Sequence, residues 1–331
     1  MRISVLGAGA WGTALAISLA PRHQVTLWAR DAQQTDAMQL ARSNQRYLPD
    51  LSFPAALNLT ADFDRALHDA ELLIVAVPVS SLRGMLQCIA SAPALRPVIW
   101  LCKGFEAQTS QLPHQIVAET LPAAFPRAVL SGPSFAQEVA RGLPTALTLA
   151  SEDIGFAQRM AQALHHSRLR IYSSADVVGV EVGGAVKNVL AIAAGISDGL
   201  QLGFNARAAL LTRGLAEMTR LGLRLGGKAE TLGGLSGAGD LILTCTGDLS
   251  RNRQVGMLLA QQRALPNILS ELGHVAEGVY TAREVHQIAQ RLKVEMPICE
   301  AAYRVLYEQL PADKATENLL SRQPSDEFAT D

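Results

Sequence analysis

Arg2-Ile3-Ser4-Val5-Leu6-Gly7-Ala8-Gly9-Ala10-Trp11-Gly12-Thr13-Ala14-Leu15-Ala16 opens the chain with an apolar strand, a glycine turn and the start of a helix. Gly7, Gly9 and Gly12 fit the spacing G-x-G-x-x-G, and each has its own task. Gly7 permits the tight turn, Gly9 lets backbone approach a pyrophosphate, and Gly12 lets helix and strand pack closely. The helix start offers free N–H groups and a positive dipole end to phosphate. In isolation the glycines would mark only a strand–turn–helix bend. The strand before them and the second apolar strand after them, Gln24–Trp28, make the loop a dinucleotide site.

The end of that second strand bears on the choice of cofactor. An acid there usually holds the ribose 2′-hydroxyl of NAD. This chain has Arg30, followed by Asp31. A guanidinium pairs bidentately with a 2′-phosphate, so Arg30 favours NADP, while Asp31 leaves NAD open.

Outward from this unit, apolar runs read as buried strands at Glu71–Val77, Val98–Cys102, Arg127–Leu130, Thr145–Ala150 and Leu169–Tyr172. Helical patterns such as Trp11–Ala20 and Ser80–Ala90 lie between them. Strands alternating with helices predict an α/β class built on a doubly wound parallel sheet, because parallel pairing needs crossovers. Near Ala175 the character changes. From Val180 to about Gln309 the periodicity is helical, interrupted by glycine turns such as Leu225-Gly226-Gly227. The expected organisation is an N-terminal Rossmann-type dinucleotide-binding domain, residues 1–178, and an all-helical substrate and catalytic domain, residues 179–331. The tail from Gln323 is polar.

Composition narrows the function classes. Across 331 residues, 29 Lys+Arg stand against 30 Asp+Glu, which argues against a dedicated nucleic-acid binder. Apolar residues make up 49%, enough for two cores. Four cysteines without a CxxC pair fit a reducing compartment and offer no metal framework. No leader with a charged and then an apolar region is seen. No stretch approaches the ~20 apolar residues of a membrane span. The expectation is a cytoplasmic protein without membrane insertion.

In the second half, Glu181-Val-Gly-Gly-Ala-Val-Lys187-Asn188-Val-Leu-Ala-Ile-Ala-Ala194 places a lysine among small residues. On a helix Gly183, Gly184, Ala191 and Ala194 share its face. That floor leaves room for a group to sit against Lys187, and apolar surroundings lower its pKa toward use in proton transfer. The alternative is a lysine neutralised by Glu181 or Asp198, with the glycines serving helix packing. Asp240, in Gly237-Ala238-Gly239-Asp240, is either a helix cap or a partner for a substrate hydroxyl. Ser250-Arg251-Asn252 reads as an N-cap followed by a cation where a helix prefers acids, which suggests a phosphate or carboxylate there. Lys103-Gly104 ends a strand, where ligands of open sheets bind, although a solvated lysine is equally consistent.

Taken together, Gly7–Gly12, Lys103-Gly104, Ser131-Gly132-Pro133-Ser134-Phe135-Ala136 with Glu138-Val139, Lys187-Asn188, Gly237–Asp240, Ser250–Asn252 and Glu277-Gly278 follow one another in a specific order. Over nearly its whole length the chain resembles bacterial NAD(P)-dependent sn-glycerol-3-phosphate dehydrogenases. The resemblance implies reversible hydride transfer between NAD(P)H and dihydroxyacetone phosphate, for glycerophospholipid synthesis, in a homodimer. It implies Lys187 as general acid/base. Lys103, Gly132, Ser134, Asp240, Ser250, Arg251 and Asn252 would contact substrate. Trp11, Arg30, Lys103, Ala136, Arg251, Val275 and Glu277 would line the cofactor site, and no metal is implied. Two other readings compete. A related β-hydroxyacid dehydrogenase would not be inhibited by phosphate analogues, and a dinucleotide sensor without turnover would not need Lys187.

Overall fold

The structure, a computed structural model, describes residues 1–272 and 276–323. Its strands are β1 (Arg2–Leu6), β2 (Gln24–Trp28), β3 (Ser43–Asn44), β4 (Leu48–Ser52), β5 (Asn58–Thr60), β6 (Leu72–Val75), β7 (Val98–Trp100), β8 (Arg127–Ser131), β9 (Thr145–Ala150) and β10 (Leu169–Ser174). One sheet has the order β10-β9-β8-β7-β6-β1-β2-β5, and β3 with β4 forms a separate antiparallel pair. The apolar runs of β6 and β7 are buried along their whole length, as strands covered on both faces must be. From β1 the chain moves to β2 and β5 on one side and to β6, β7 and β8 on the other. The C-terminal end of β1, where the glycine loop begins, is therefore the point at which strand order reverses and ligands of such sheets bind.

The sheet is not parallel throughout. β8 and β9 pair antiparallel, with Ser131 opposite Thr148, and β10 runs parallel to β9. The cause lies in the connection. Between β8 and β9 the only helix is Ala136–Ala140, five residues long. At 1.5 Å per residue it covers about 8 Å, too little to carry the chain back along a strand of about 17 Å. The polar β3, β4 and β5 carry no periodic apolar signal and were not expected from the sequence.

Beyond β10 the described residues contain helices and no strand. Val177–Gly199 is the axis of this part. It packs against Gly203–Arg224, Asp240–Thr246, Arg251–Ala260, Glu277–Leu292 and Pro297–Tyr307. Asp176 starts it: one carboxylate oxygen accepts Gly179 N–H at 2.8 Å, the other Lys228 N–H at 2.9 Å. The helix thus begins at Val177, two residues before the sequence-based division at 178/179. An 18-residue window of this 23-residue helix has a mean hydropathy of 1.6, so one stretch does reach the length and composition of a membrane span, contrary to expectation. The surrounding helices bury it, which identifies it as a core helix.

Candidate active site

Each glycine of the first loop has a different physical necessity. Gly7 sits at φ 124°, and a Cβ there would lie 2.6 Å from the Ala76 carbonyl oxygen. At Gly12 a Cβ would stand 2.1 Å from the Gly7 oxygen, so turn and helix touch directly. Gly9 differs: a Cβ would meet no atom within 4 Å. The closed turn is held by Gly7 and Gly12, and Gly9 borders open space at the start of helix Ala10–Leu19. That start has no side-chain cap and no acid in its first turn. An uncapped helix start beside a residue without side chain fits a pyrophosphate. Asn44, which the sequence reading passed over, braces the loop by donating to Ala8 O at 3.0 Å and Thr13 Oγ1 at 2.8 Å. It lies in the short polar β3, where no periodicity marks it.

At the end of β2, Arg30 is exposed with no hydrogen bond or ion pair among the described residues. Asp31 is engaged. Its carboxylate caps helix Ala32–Ala41 by accepting from Gln33 N at 2.9 Å and Gln34 N at 3.4 Å. The acid that left NAD open is spent on a cap, and the guanidinium is free. Trp11 and Ala136 belong to one apolar cluster with Ala14, Leu48 and Val139 on the same side of the sheet. Val275 lies outside the described residues.

Lys187 meets Asp240 across two helices. Its Nζ donates to Asp240 Oδ1 at 2.7 Å and to Thr244 Oγ1 at 2.9 Å. The other Asp240 oxygen accepts from Lys103 Nζ at 2.5 Å, and Lys103 also donates to Gly132 O at 3.2 Å. Two lysines, one from the end of β7 and one from the central helix, thus share a single buried carboxylate. Burial pushes the Lys187 ammonium down to about 8; Asp240 opposes the shift and Lys103 adds to it. Burial also raises the Asp240 carboxyl, but the two lysines outweigh it and hold it below its ordinary range.

These contacts revise three expectations. The neutralising partner of Lys187 is neither Glu181 nor Asp198. Glu181 accepts from Trp100 Nε1 at 2.7 Å and from His114 Nδ1 at 2.6 Å, and Asp198 from Arg207 and Arg253. Nor is the small-residue floor open. A Cβ on Gly183 would lie 2.4 Å from Ser236 O, and one on Gly184 would lie 3.1 Å from Ser131 Oγ and 3.3 Å from Lys103 Cγ. The glycines admit the turn that carries Asp240 and the stem of Lys103. Finally, the Asp240 side chain is not a cap but the bridge between lysines. Thr244, absent from the sequence reading, was signalled by its i+4 spacing from Asp240 on one helix face.

Ser250 does cap Arg251–Ala260, accepting from Arg253 N at 3.3 Å, and Arg251 is exposed and makes no hydrogen bond or salt bridge among the described residues, Glu277 being the acid its charge acts on. Asn252 is committed within the protein. Its Nδ2 donates to Asn188 Oδ1 at 3.0 Å, and its Oδ1 accepts Gly278 N–H at 3.1 Å. Asn188, Asn252 and Gly278 directly follow Lys187, Arg251 and Glu277, so this knot of bonds gathers all three site residues. Burial raises the Glu277 carboxyl, and the charges of Arg251, Lys103 and Lys187 work against that rise. Ser134 turns inward, donating to Gly132 O at 3.0 Å.

A glycine-loop sheet with a buried, charge-matched lysine beyond its strand ends defines a nucleotide-dependent dehydrogenase. Comparison with known proteins narrows the class. Residues 2–157 match the model of the NAD-dependent glycerol-3-phosphate dehydrogenase N-terminus, and residues 176–317 match that of its C-terminus. A glycerol-3-phosphate dehydrogenase [NAD(P)+] from Thiobacillus denitrificans is 62% identical over 99% of this chain and 100% of its own length. The crystal structure of glycerol-3-phosphate dehydrogenase from Coxiella burnetii has a TM-score of 0.93 at 43% identity, covering 97% of this chain and 99% of that one. A ketopantoate reductase from Ralstonia eutropha, 16% identical with a TM-score of 0.60, shares the fold alone. The chain belongs to the family of NAD-dependent glycerol-3-phosphate dehydrogenases, and it is an NAD(P)-dependent oxidoreductase.

Proposed function

We propose that the chain reversibly reduces dihydroxyacetone phosphate to sn-glycerol 3-phosphate, with Lys187 as general acid/base. The observation that carries this reading is the buried Lys187 ammonium, pushed down to about 8 and aimed by Asp240 and Thr244. A group titrating near neutrality donates a proton to the ketone oxygen in reduction and accepts it back in oxidation. The bound nicotinamide supplies or takes up the hydride.

The protein's own residues do the rest. Lys103, with Gly132 and Ser134 beside it, places a second cation next to the reacting oxygen, where it disperses developing negative charge. Asp240 keeps the two ammonium groups from repelling each other apart. Ser250 and Arg251 offer a cation without a salt-bridge partner and a helix start to the substrate phosphate, while Asn252 holds that start beside Lys187. Gly7, Gly9 and Gly12 shape the pyrophosphate seat, with Trp11, Ala136, Lys103, Arg251 and Glu277 around the cofactor. The free guanidinium of Arg30 supports NADP as the preferred cofactor, with NAD also accepted.

The wider setting follows from the same reading. The product would feed glycerophospholipid synthesis, and the active unit would be a homodimer. Four free cysteines support a reducing, cytoplasmic location, and the burial of the long apolar helix inside the fold supports a protein without membrane insertion. Residues 1–178 would act as the dinucleotide-binding domain and 179–331 as the substrate and catalytic domain. The test is direct: purified protein, NADPH and dihydroxyacetone phosphate, with the reduced nicotinamide followed by absorbance. Oxidation at millimolar substrate is expected, and its absence would sink the proposal.

A further inference from the structure

The helix that starts at Ser250-Arg251 runs alongside the helix of Lys187 with almost no space between them. A Cβ on Gly195 would lie 2.0 Å from Arg253 O, one on Gly256 2.0 Å from Ile192 O, and one on Gly199 2.6 Å from Ala260 Cβ. Asn252 bonds to Asn188 at the beginning of this contact. The pairs 252 with 188, 256 with 192 and 260 with 199 advance together, so the helices are parallel and their register sets how far Arg251 stands from Lys187. Backbone packing at glycines is smooth along the axis. It brings helices close without side-chain ridges to resist sliding.

Besides Asn252, a charged side chain crosses this seam and reaches the far end of the Lys187 helix. Arg253 is buried, and its Nε donates to Asp198 Oδ2 at 2.7 Å. Its Nη1 donates to Asp248 Oδ1 at 2.9 Å, on the loop that leads into the Ser250 cap. Asp198, in the last turn of the central helix, is itself held by Arg207 Nε at 2.7 Å on its other oxygen. The Arg253 guanidinium therefore ties the end of the Lys187 helix to the entry of the Arg251 helix.

We infer that Arg253, through Asp198, is a positioning residue that fixes the axial register between the phosphate grip at Ser250-Arg251 and the proton donor Lys187. This deepens the functional reading above and rests on it. The chemistry demands such a device. In dihydroxyacetone phosphate the reacting carbonyl and the phosphate are separated by a fixed number of bonds. A slip of one residue, about 1.5 Å, would let the protein hold one end but not both.

The test compares two substrates, dihydroxyacetone phosphate and dihydroxyacetone, in the unaltered protein and in Arg253→Met. The phosphate-free ketone uses Lys187 but not the grip. Arg253→Met is expected to lower kcat/KM for dihydroxyacetone phosphate by about 10- to 100-fold, the scale of a 1 Å misplacement. The value for dihydroxyacetone should stay unchanged. Arg253→Lys, which keeps a cation for Asp198, should recover part of the loss. An equal fall for both substrates, or no fall for either, overturns the inference. Should Arg253→Met fail to fold, Asp198→Asn and Arg253→Lys report the same ratio. If the unaltered protein turns over neither substrate, it is the functional reading that fails.

Discussion

Lys187 Nζ lies 2.7 Å from Asp240 Oδ1, and this ion pair is buried at the meeting of two helices. Because Asp240 favours the charged lysine, it sets the pH at which the proton is available. Asp240→Asn removes that support and leaves desolvation and Lys103 unopposed. The Lys187 pKa should then fall further below about 8. Reduction needs the ammonium form, so its rate is present below this pKa and lost as pH rises through it. The alkaline limb of kcat for reduction is expected to move to lower pH in the variant; a limb that stays in place would mean that Asp240 does not tune Lys187.

Lys187→Ala should lose about 10²- to 10⁴-fold in kcat, the usual share of a general acid, with modest change in KM. Oxidation, which needs the neutral amine, should show the opposite pH limb in the unaltered enzyme, rising through about 8. Intact kcat with a large rise in KM would make Lys187 a binding group instead.

The glycine loop separates folding from binding. A Cβ at Gly9 meets nothing and the backbone φ is −74°, so Gly9→Ala should keep the Tm of the cofactor-free protein. The methyl would occupy the pyrophosphate's path, and the Kd for NADPH should rise at least about tenfold. In Gly12→Ala the methyl would strike Gly7 O, and Tm itself should fall. Melting curves with and without cofactor distinguish the two. Equal Tm losses would show that Gly9 matters only for folding.

Arg30 is exposed and carries no partner among the described residues, so Arg30→Ala should cost little stability. Loss of a charge-assisted pair to the 2′-phosphate should lower kcat/KM with NADPH by about tenfold or more and leave NADH nearly unaffected. An unchanged ratio of the two would remove Arg30 from cofactor choice.

Glu217 is buried and caps helix Pro297–Tyr307, accepting from Ile298 N at 2.7 Å and Cys299 N at 3.1 Å. Burial pushes its carboxyl up to about 7, and the two N–H groups only partly offset this. Its ionised form is therefore disfavoured by folding. Between the ordinary carboxylate range and about 7, the unfolded chain has lost this proton while the folded one keeps it, so stability from this group declines as pH rises through that window. Glu217→Gln keeps one of the two acceptor oxygens and removes the titration. Its Tm should fall less than that of the parent between pH 5 and 7; parallel curves would contradict the assignment.

Much of this protein was legible along the chain because the signals are local. The glycine spacing between two apolar strands announced the cofactor loop, and Ser250-Arg251 announced a capped helix with an uncompensated cation. Both follow from dihedral freedom, periodicity and charge over a few residues. The residues around Lys187 show the limit. Small neighbours on its helix suggested open space, but turns distant in sequence filled it with Ser236, Ser131 and the stem of Lys103. Its partner Asp240 stands 53 positions away and Lys103 lies 137 positions from Asp240. No local pattern selects that carboxylate over Glu181 or Asp198.

By itself, then, the sequence determined the alternating fold, the tight glycine turn opening at Gly7, and a lysine set among small residues on one helix. Only the tertiary structure decided which acid that lysine meets, that Asn252 ties three helices together, and that Arg253 crosses a seam of glycines. The physical reason is the range of the forces involved. Backbone conformation and amphipathic periodicity are set by neighbours in sequence. Desolvation and charge pairing depend on which groups packing brings within a few ångströms, wherever they lie in the chain.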